Sequence, residues 1–190
     1  MGRILSRTTS RIKEGKIVLL GSSGAGKTTL VRYLETGEPV KEDAKTTLGI
    51  DIRQKPIILD GWSLKAIDVG GQELYQRTFW SLGAAQADAV IYVIDGTVQP
   101  GSLDTTWEKA QFQFEYMLNL VGKNVPLLIL INKQDLKELN PLTTTEAITL
   151  YHMNEIMGRS FTVLPSSAKY GDGVKTALEW LVDKMESTKK

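Results

Sequence analysis

The chain predicts an α/β fold, a mostly parallel six-stranded sheet with helices on both faces and one antiparallel strand. Three observations predict it. Residues 16–20, apolar after Lys16, and residues 89–94 and 125–131 are runs of strand length without polar alternation, as strands buried on both faces require. Longer stretches with helical spacing separate them, which is the rhythm of crossover connections. Asp60-Gly61, between strand-like residues 50–59 and 62–67, is a hairpin turn and supplies the antiparallel strand. In order, a loop at 21–28 leads into a helix over 29–34, and the polar stretch 36–46 reads as a loop. A long helix over 102–121 spaces Phe112, Tyr116 and Leu120 four apart on one face. A helix over 144–157, containing His152, a last strand at 161–164 and a final helix over 174–185 complete the pattern. No residue stretch suggests a second domain.

Composition bounds the function. A chain of 190 residues with 42% hydrophobic content is long enough to bury a substantial core. Its formal net charge of +1 gives no global field for nucleic acid. No apolar run approaches the length that spans a membrane. With no cysteine, disulfides, thiolate metal sites and prenyl or palmitoyl attachment are all excluded.

Three motifs carry the chemistry. Gly21-Ser-Ser-Gly-Ala-Gly-Lys-Thr28 matches G-x-x-x-x-G-K-[ST] between a strand and a helix, the context a phosphate-binding loop needs. Its glycines let backbone N–H groups turn toward a phosphate, aided by the helix N-terminus, and Gly24, Ala25, Gly26 and Thr29 belong to that cradle. Lys27 is expected on the β- and γ-phosphates and Thr28 on Mg²⁺. Asp68-Val-Gly-Gly-Gln72 follows a strand. Asp68 is placed to hold Mg²⁺ through water, Gly71 to offer its N–H to the γ-phosphate, and Gln72 to orient an attacking water. Asn132-Lys-Gln-Asp135 ends another strand, where nucleotides bind in open α/β sheets. Asp135 can accept from the ring N1–H and exocyclic amine of guanine, donors that adenine lacks there. Asn132 would orient the loop, and the Lys133 methylenes would cover a ring face.

These motifs, in this order, resemble the small GTPases of the Ras superfamily, and the double glycine before Gln72 resembles the Arf and Arf-like branch. The resemblance covers residues 15–186 and implies a P-loop G domain there, with a basic, amphipathic segment at 1–14 and a tail at 187–190. It adds Thr47 as the switch I threonine that binds Mg²⁺ and senses the γ-phosphate. It also adds the Ser166-Ser-Ala-Lys169 loop, with Ser167, Ala168 and Lys169 at the base and the Ala168 N–H meeting guanine O6. What it implies is a GTP-binding switch that hydrolyses GTP to GDP, with Gln72 and Lys27 catalytic and Mg²⁺ as cofactor. An exchange factor, an activating protein and effectors are its implied partners. Membrane-associated or trafficking processes are the implied setting, in the cytoplasm or at a membrane surface. A regulatory GTPase outside trafficking, of Rag or polarity type, and a GTP-binding structural subunit with little turnover are the alternatives.

Some positions depart from the Arf pattern. Ser23 stands where Arf proteins carry Asp, Ile67 stands where a Trp precedes the aspartate, and Trp80 lies one residue late. No arginine occurs between Gly37 and Gly49, so no arginine finger in cis is evident and turnover is expected to be slow without an activator. Met1-Gly-Arg-Ile-Leu-Ser6 matches the myristoylation pattern, and Arg3, Arg7 and Arg11 would line one side of a helix. This segment reads either as an acylated membrane contact, the arginines adding about 1 kcal/mol each at an anionic surface, or as a basic tail.

Overall fold

The computed structural model describes residues 12–41, 47, 49–53, 55–71, 76–85, 87–101 and 106–188. Its sheet runs in the order β2-β4-β1-β5-β6-β7, with β3 also paired to β4. These strands are β1 (Lys13–Leu20), β2 (Ile50–Ile52), β3 (Ile57–Leu59), β4 (Trp62–Val69), β5 (Ala89–Asp95), β6 (Leu127–Asn132) and β7 (Phe161–Pro165). β1 pairs parallel to both β4 and β5, and β5, β6 and β7 continue in parallel. β1 lies at the point where the chain first adds strands on one side and then on the other. Its carboxyl end is therefore the crevice where ligands bind in such sheets.

Seven strands replace the expected six, because residues 50–59 do not form one strand. Between the pairs Ile52↔Ile67 and Ile57↔Leu64, four residues face two, so the edge is bulged. Pro56 lies in this bulge and has no N–H to give to a ladder. Both short pieces run antiparallel to β4, so there are two antiparallel strands rather than one.

Side-chain alternation along the buried strands divides the interior in two. Ile17 and Leu19 of β1 face one core, where α1 (Lys27–Thr36) and α5 (Val174–Thr188) contribute Leu30, Val31, Leu178 and Leu181. Val18 and Leu20 face the other, which collects Trp80, Tyr92, Phe114, Met117 and Tyr151. That second face is covered by α2 (Ser81–Ala84), α3 (Thr106–Leu120) and α4 (Thr144–Leu150). A π-helical turn over Gln76–Trp80 leads into α2, an element the sequence reading did not anticipate. Helices thus cover both faces, as expected.

Other expectations are corrected by the packing. The helix expected over 144–157 ends at Leu150, and His152 is no helical residue: its backbone is left-handed, at φ 52°, before a short turn at Met153–Glu155. α4 starts instead on a capping box, with Thr143 and Glu146 exchanging bonds between side chain and backbone. On α3 the stripe of Phe112, Tyr116 and Leu120 flanks the core face, with Tyr116 and Leu120 partly buried against it. Trp107, Ala110, Phe114 and Met117 are buried, while Phe112 is 61% exposed and stacks on Tyr116. Trp62 and Trp80 are both fully buried in the core. Among the described residues no helix is long and apolar enough to cross a membrane.

Candidate nucleotide-binding site

Four loops meet at the carboxyl ends of β1, β4, β6 and β7. The loop after β1 wraps the N-terminus of α1, and Lys27 begins that helix. Its ammonium donates to the carbonyls of Gly21 at 2.8 Å and Ser22 at 2.7 Å and is buried inside the loop. Burial lowers its pKa to about 8, against the opposing pull of the Asp68 charge. Gly26 is required here twice over: its φ is 100°, and a Cβ would run into the Asn132 side chain.

Asn132 ends β6 and ties the loops together. Its Nδ2 donates to Ala25 O at 2.7 Å, and its Oδ1 accepts from Ala168 N at 2.8 Å. The Ala168 N–H expected at guanine O6 is thus bonded to Asn132 in this structure. Asp135 is half-buried, and its Oδ1 accepts from Ser167 Oγ at 2.7 Å, which aims the carboxylate. A cleft of about 360 Å³ lies between these loops. Gly24, Gly26, Thr29, Asn132, Lys133, Asp135, Ala168 and Lys169 line it, as does Leu136, which the sequence reading did not single out.

At the phosphate end of the cleft, three oxygen side chains converge. Thr28 Oγ1 donates to Asp68 Oδ2 at 2.5 Å and lies 2.8 Å from Thr47 Oγ1, which itself donates to Asp68 Oδ2 at 3.0 Å. Thr47 and Asp68, the latter near the end of β4, are 21 residues apart in sequence, so their meeting brings the expected switch I threonine to the P-loop. The other oxygen of Asp68 is buried without a hydrogen-bond partner. A hard cation suits that set: hydroxyl oxygens plus one carboxylate with unspent acceptor capacity. Gly71 presses against the P-loop, where a Cβ would meet the backbone of Ser22 and Ser23. Gly70 N donates to Gly49 O at 2.7 Å, which joins the segments flanking the two switches. Gln72 and residues 1–11 lie outside the described residues.

The structure also brings in residues that sequence reasoning missed. Gln113 of α3 accepts from Ser22 Oγ at 2.5 Å and so supports the P-loop from below. Its signal was a polar side chain inside the apolar stripe of Ala110, Phe114 and Met117. Val40 N donates to Lys169 O at 2.9 Å, fastening the start of the switch I region to the base loop. Asp95, the last residue of β5, pairs with Lys133 at 2.6 Å. Nothing in local sequence signals either contact.

A phosphate loop at the switch point of a parallel sheet, with a base loop two strands away, defines a P-loop nucleotide-binding protein. Sequence comparison narrows the class. Residues 1–185 match the profile of the ADP-ribosylation factor family. ADP-ribosylation factor-like protein 3 of Chlamydomonas reinhardtii is 33% identical over 91% of this chain and 92% of its own length. ADP-ribosylation factor-like protein 1 of Saccharomyces cerevisiae is 32% identical over 96% of each chain. The fold matches that of the BBS3 small GTPase from Trypanosoma brucei, solved with a bound nucleotide analogue. The TM-score is 0.74 at 19% identity, covering 93% of this chain and 99% of that one. The chain belongs to the ADP-ribosylation factor family, within the small GTPases of the Ras superfamily.

Proposed function

We propose that this chain is a molecular switch that binds GTP, hydrolyses it to GDP and phosphate, and presents different surfaces in the two states. The convergence of Thr28, Thr47 and Asp68 is the observation that carries the reading. These three residues, Asp68 through water, would hold Mg²⁺, which when bound neutralises charge on the β- and γ-phosphate oxygens.

The chain's own residues do the rest. Lys27 exchanges its bonds to Gly21 O and Ser22 O for phosphate oxygens, so no new charge has to be buried alone. The P-loop amides meet the remaining phosphate charge from fixed positions, which suits stabilisation of a charge-dispersed transition state. Gln72 orients the attacking water, and the Gly71 N–H meets the γ-phosphate. Thr47, through Mg²⁺, and Gly71, through its N–H, then report phosphate loss. Asp135 selects guanine, supported by Ser167, with Lys133 and Lys169 flanking the base.

The family assignment supports partners of the exchange, activation and effector classes. The basic residues of segment 1–14 support a peripheral membrane contact as the setting, with a trafficking-type role. Turnover tests the reading. Purified protein loaded with GTP labelled on the γ-phosphate should release phosphate at about 10⁻⁴ to 10⁻³ s⁻¹, since no cis arginine is evident. Gln72→Leu should reduce the activator-stimulated rate at least tenfold while leaving GTP affinity within about threefold. A wild type that retains GTP unhydrolysed, even with an activating protein, would leave a binding subunit instead of a switch enzyme.

A further inference from the structure

The β5–α3 loop braces the guanine loop at several points. Asp95 uses both carboxylate oxygens: Oδ2 takes the Lys133 ammonium at 2.6 Å, and Oδ1 accepts from Thr97 N at 3.0 Å and Thr97 Oγ1 at 2.7 Å. Its neighbour Gly96 donates to Asn132 O at 3.0 Å and accepts from Leu142 N at 2.7 Å, and Leu142 O takes the Gln134 side chain at 3.0 Å. Asp95 side-chain exposure is 13% and that of Lys133 is 29%, so the pair is shielded enough for its geometry to persist. Lys133 itself has left-handed backbone, φ 66°, which turns its side chain away from the path of β6 and into the cleft wall.

We propose that Asp95 is a positioning residue of the nucleotide site, pinning the Lys133 ammonium so that its aliphatic stem is already laid along the cleft when a purine arrives. This rests on the guanine reading of the cleft. The physical reason is preorganisation. A free lysine side chain has much rotamer freedom to lose on binding, and the Asp95 pair removes that freedom beforehand. Thr97 fixes the carboxylate in turn, so the pin is anchored to its own strand end and not to the ligand. Because the stem meets a ring face and not a base edge, the contribution is indifferent to the 2-amino group and to the γ-phosphate.

The test is displacement of fluorescent methylanthraniloyl-GDP from the full chain by excess GDP, repeated with the inosine analogue. Wild type, Asp95→Ala, Asp95→Asn, Lys133→Met and the Asp95→Ala/Lys133→Met double variant are compared. Each single substitution should raise the dissociation rate about tenfold, equally for the guanine and hypoxanthine nucleotides, and the double variant should be no faster than either single one. Asp95→Asn keeps an acceptor for Thr97, so it carries the test should the alanine variant fold poorly. Wild-type rates in Asp95→Asn, or a double variant whose rate is the product of the two single effects, would overturn the proposal while leaving the guanine site intact. A wild type that fails to bind the fluorescent nucleotide at micromolar concentration would remove the guanine reading itself and this inference with it.

Discussion

Lys27 is a cation stored in a place built for anions. In the free protein its ammonium sits buried among carbonyl oxygens, with a pKa lowered to about 8 by desolvation. Below pH 8 folded and unfolded chains both hold the proton, so the burial cost is fully present. Between about 8 and the unfolded value of 10.5 the unfolded chain binds more protons, so the contribution of Lys27 to nucleotide-free stability improves as pH rises. Phosphate reverses the preference, since an anion beside the ammonium favours its charged form. GDP binding should therefore take up about half a proton at pH 8 and about a tenth at pH 7, with affinity weakening as pH climbs further. Calorimetric titration in buffers of different ionisation enthalpy reads that uptake directly. An enthalpy at pH 8 independent of the buffer would mean that Lys27 stays protonated in the empty loop.

Lys27, Thr28, Asp68, Asn132 and Asp135, which the structure gathers around the cleft, were legible because each belongs to a motif with one residue type at a fixed distance from a strand end. Gln113 and Asp95 were not legible, since they act on the site through tertiary contacts 91 and 38 residues away, and neither belongs to a motif. The elements divide the same way. Buried strands announced themselves by unbroken apolar runs, whereas the edge of the sheet did not. β2 and β3 are three residues each, separated by the bulge that Pro56 occupies, and the apolar residues on either side of it read together as one strand. That edge is also the mechanically soft part of the fold. β4 holds β1 through seven parallel pairs but holds β2 and β3 through three each, so shifting the short strands disrupts few ladder bonds. The hairpin tip is fastened at one corner, where Glu186 of α5 accepts from Lys13 Nζ at 2.7 Å and Trp62 Nε1 at 3.3 Å and Lys13 N donates to Gly61 O. Amide exchange over residues 50–66 should accordingly differ between the GDP and GTP-analogue forms, and residues 2–12, which lead into β1, should change with it. Identical exchange in both stretches, beside clear changes at Thr47 and Gly71, would confine the switch to two loops and uncouple it from the amino terminus.

At the scale of the whole molecule, the two cores share one sheet, and the nucleotide cleft lies across the ends of four of its strands. A ligand there touches loops that belong to both sides of β1, and those loops converge only in the folded chain. Binding to the native state alone must then stabilise the entire domain by mass action, by about 4 kcal/mol at a ligand concentration a thousandfold above Kd. For a domain of 190 residues, at about 2–4 °C per kcal/mol, this is a rise in Tm of about 8–16 °C. The same measurement exposes base selectivity. Adenine places an amino group where guanine has its O6 and offers no N1–H, so Asp135, held by Ser167, would face a nitrogen lone pair and its charge would lose both expected donors. ATP with Mg²⁺ at the same thousandfold concentration should move Tm by less than about 2 °C, because a thousandfold or greater loss of affinity leaves only about 0.4 kcal/mol of linkage. Equal shifts from the two nucleotides would show that phosphate contacts dominate and that the strand-end loop of β6 does not read the base.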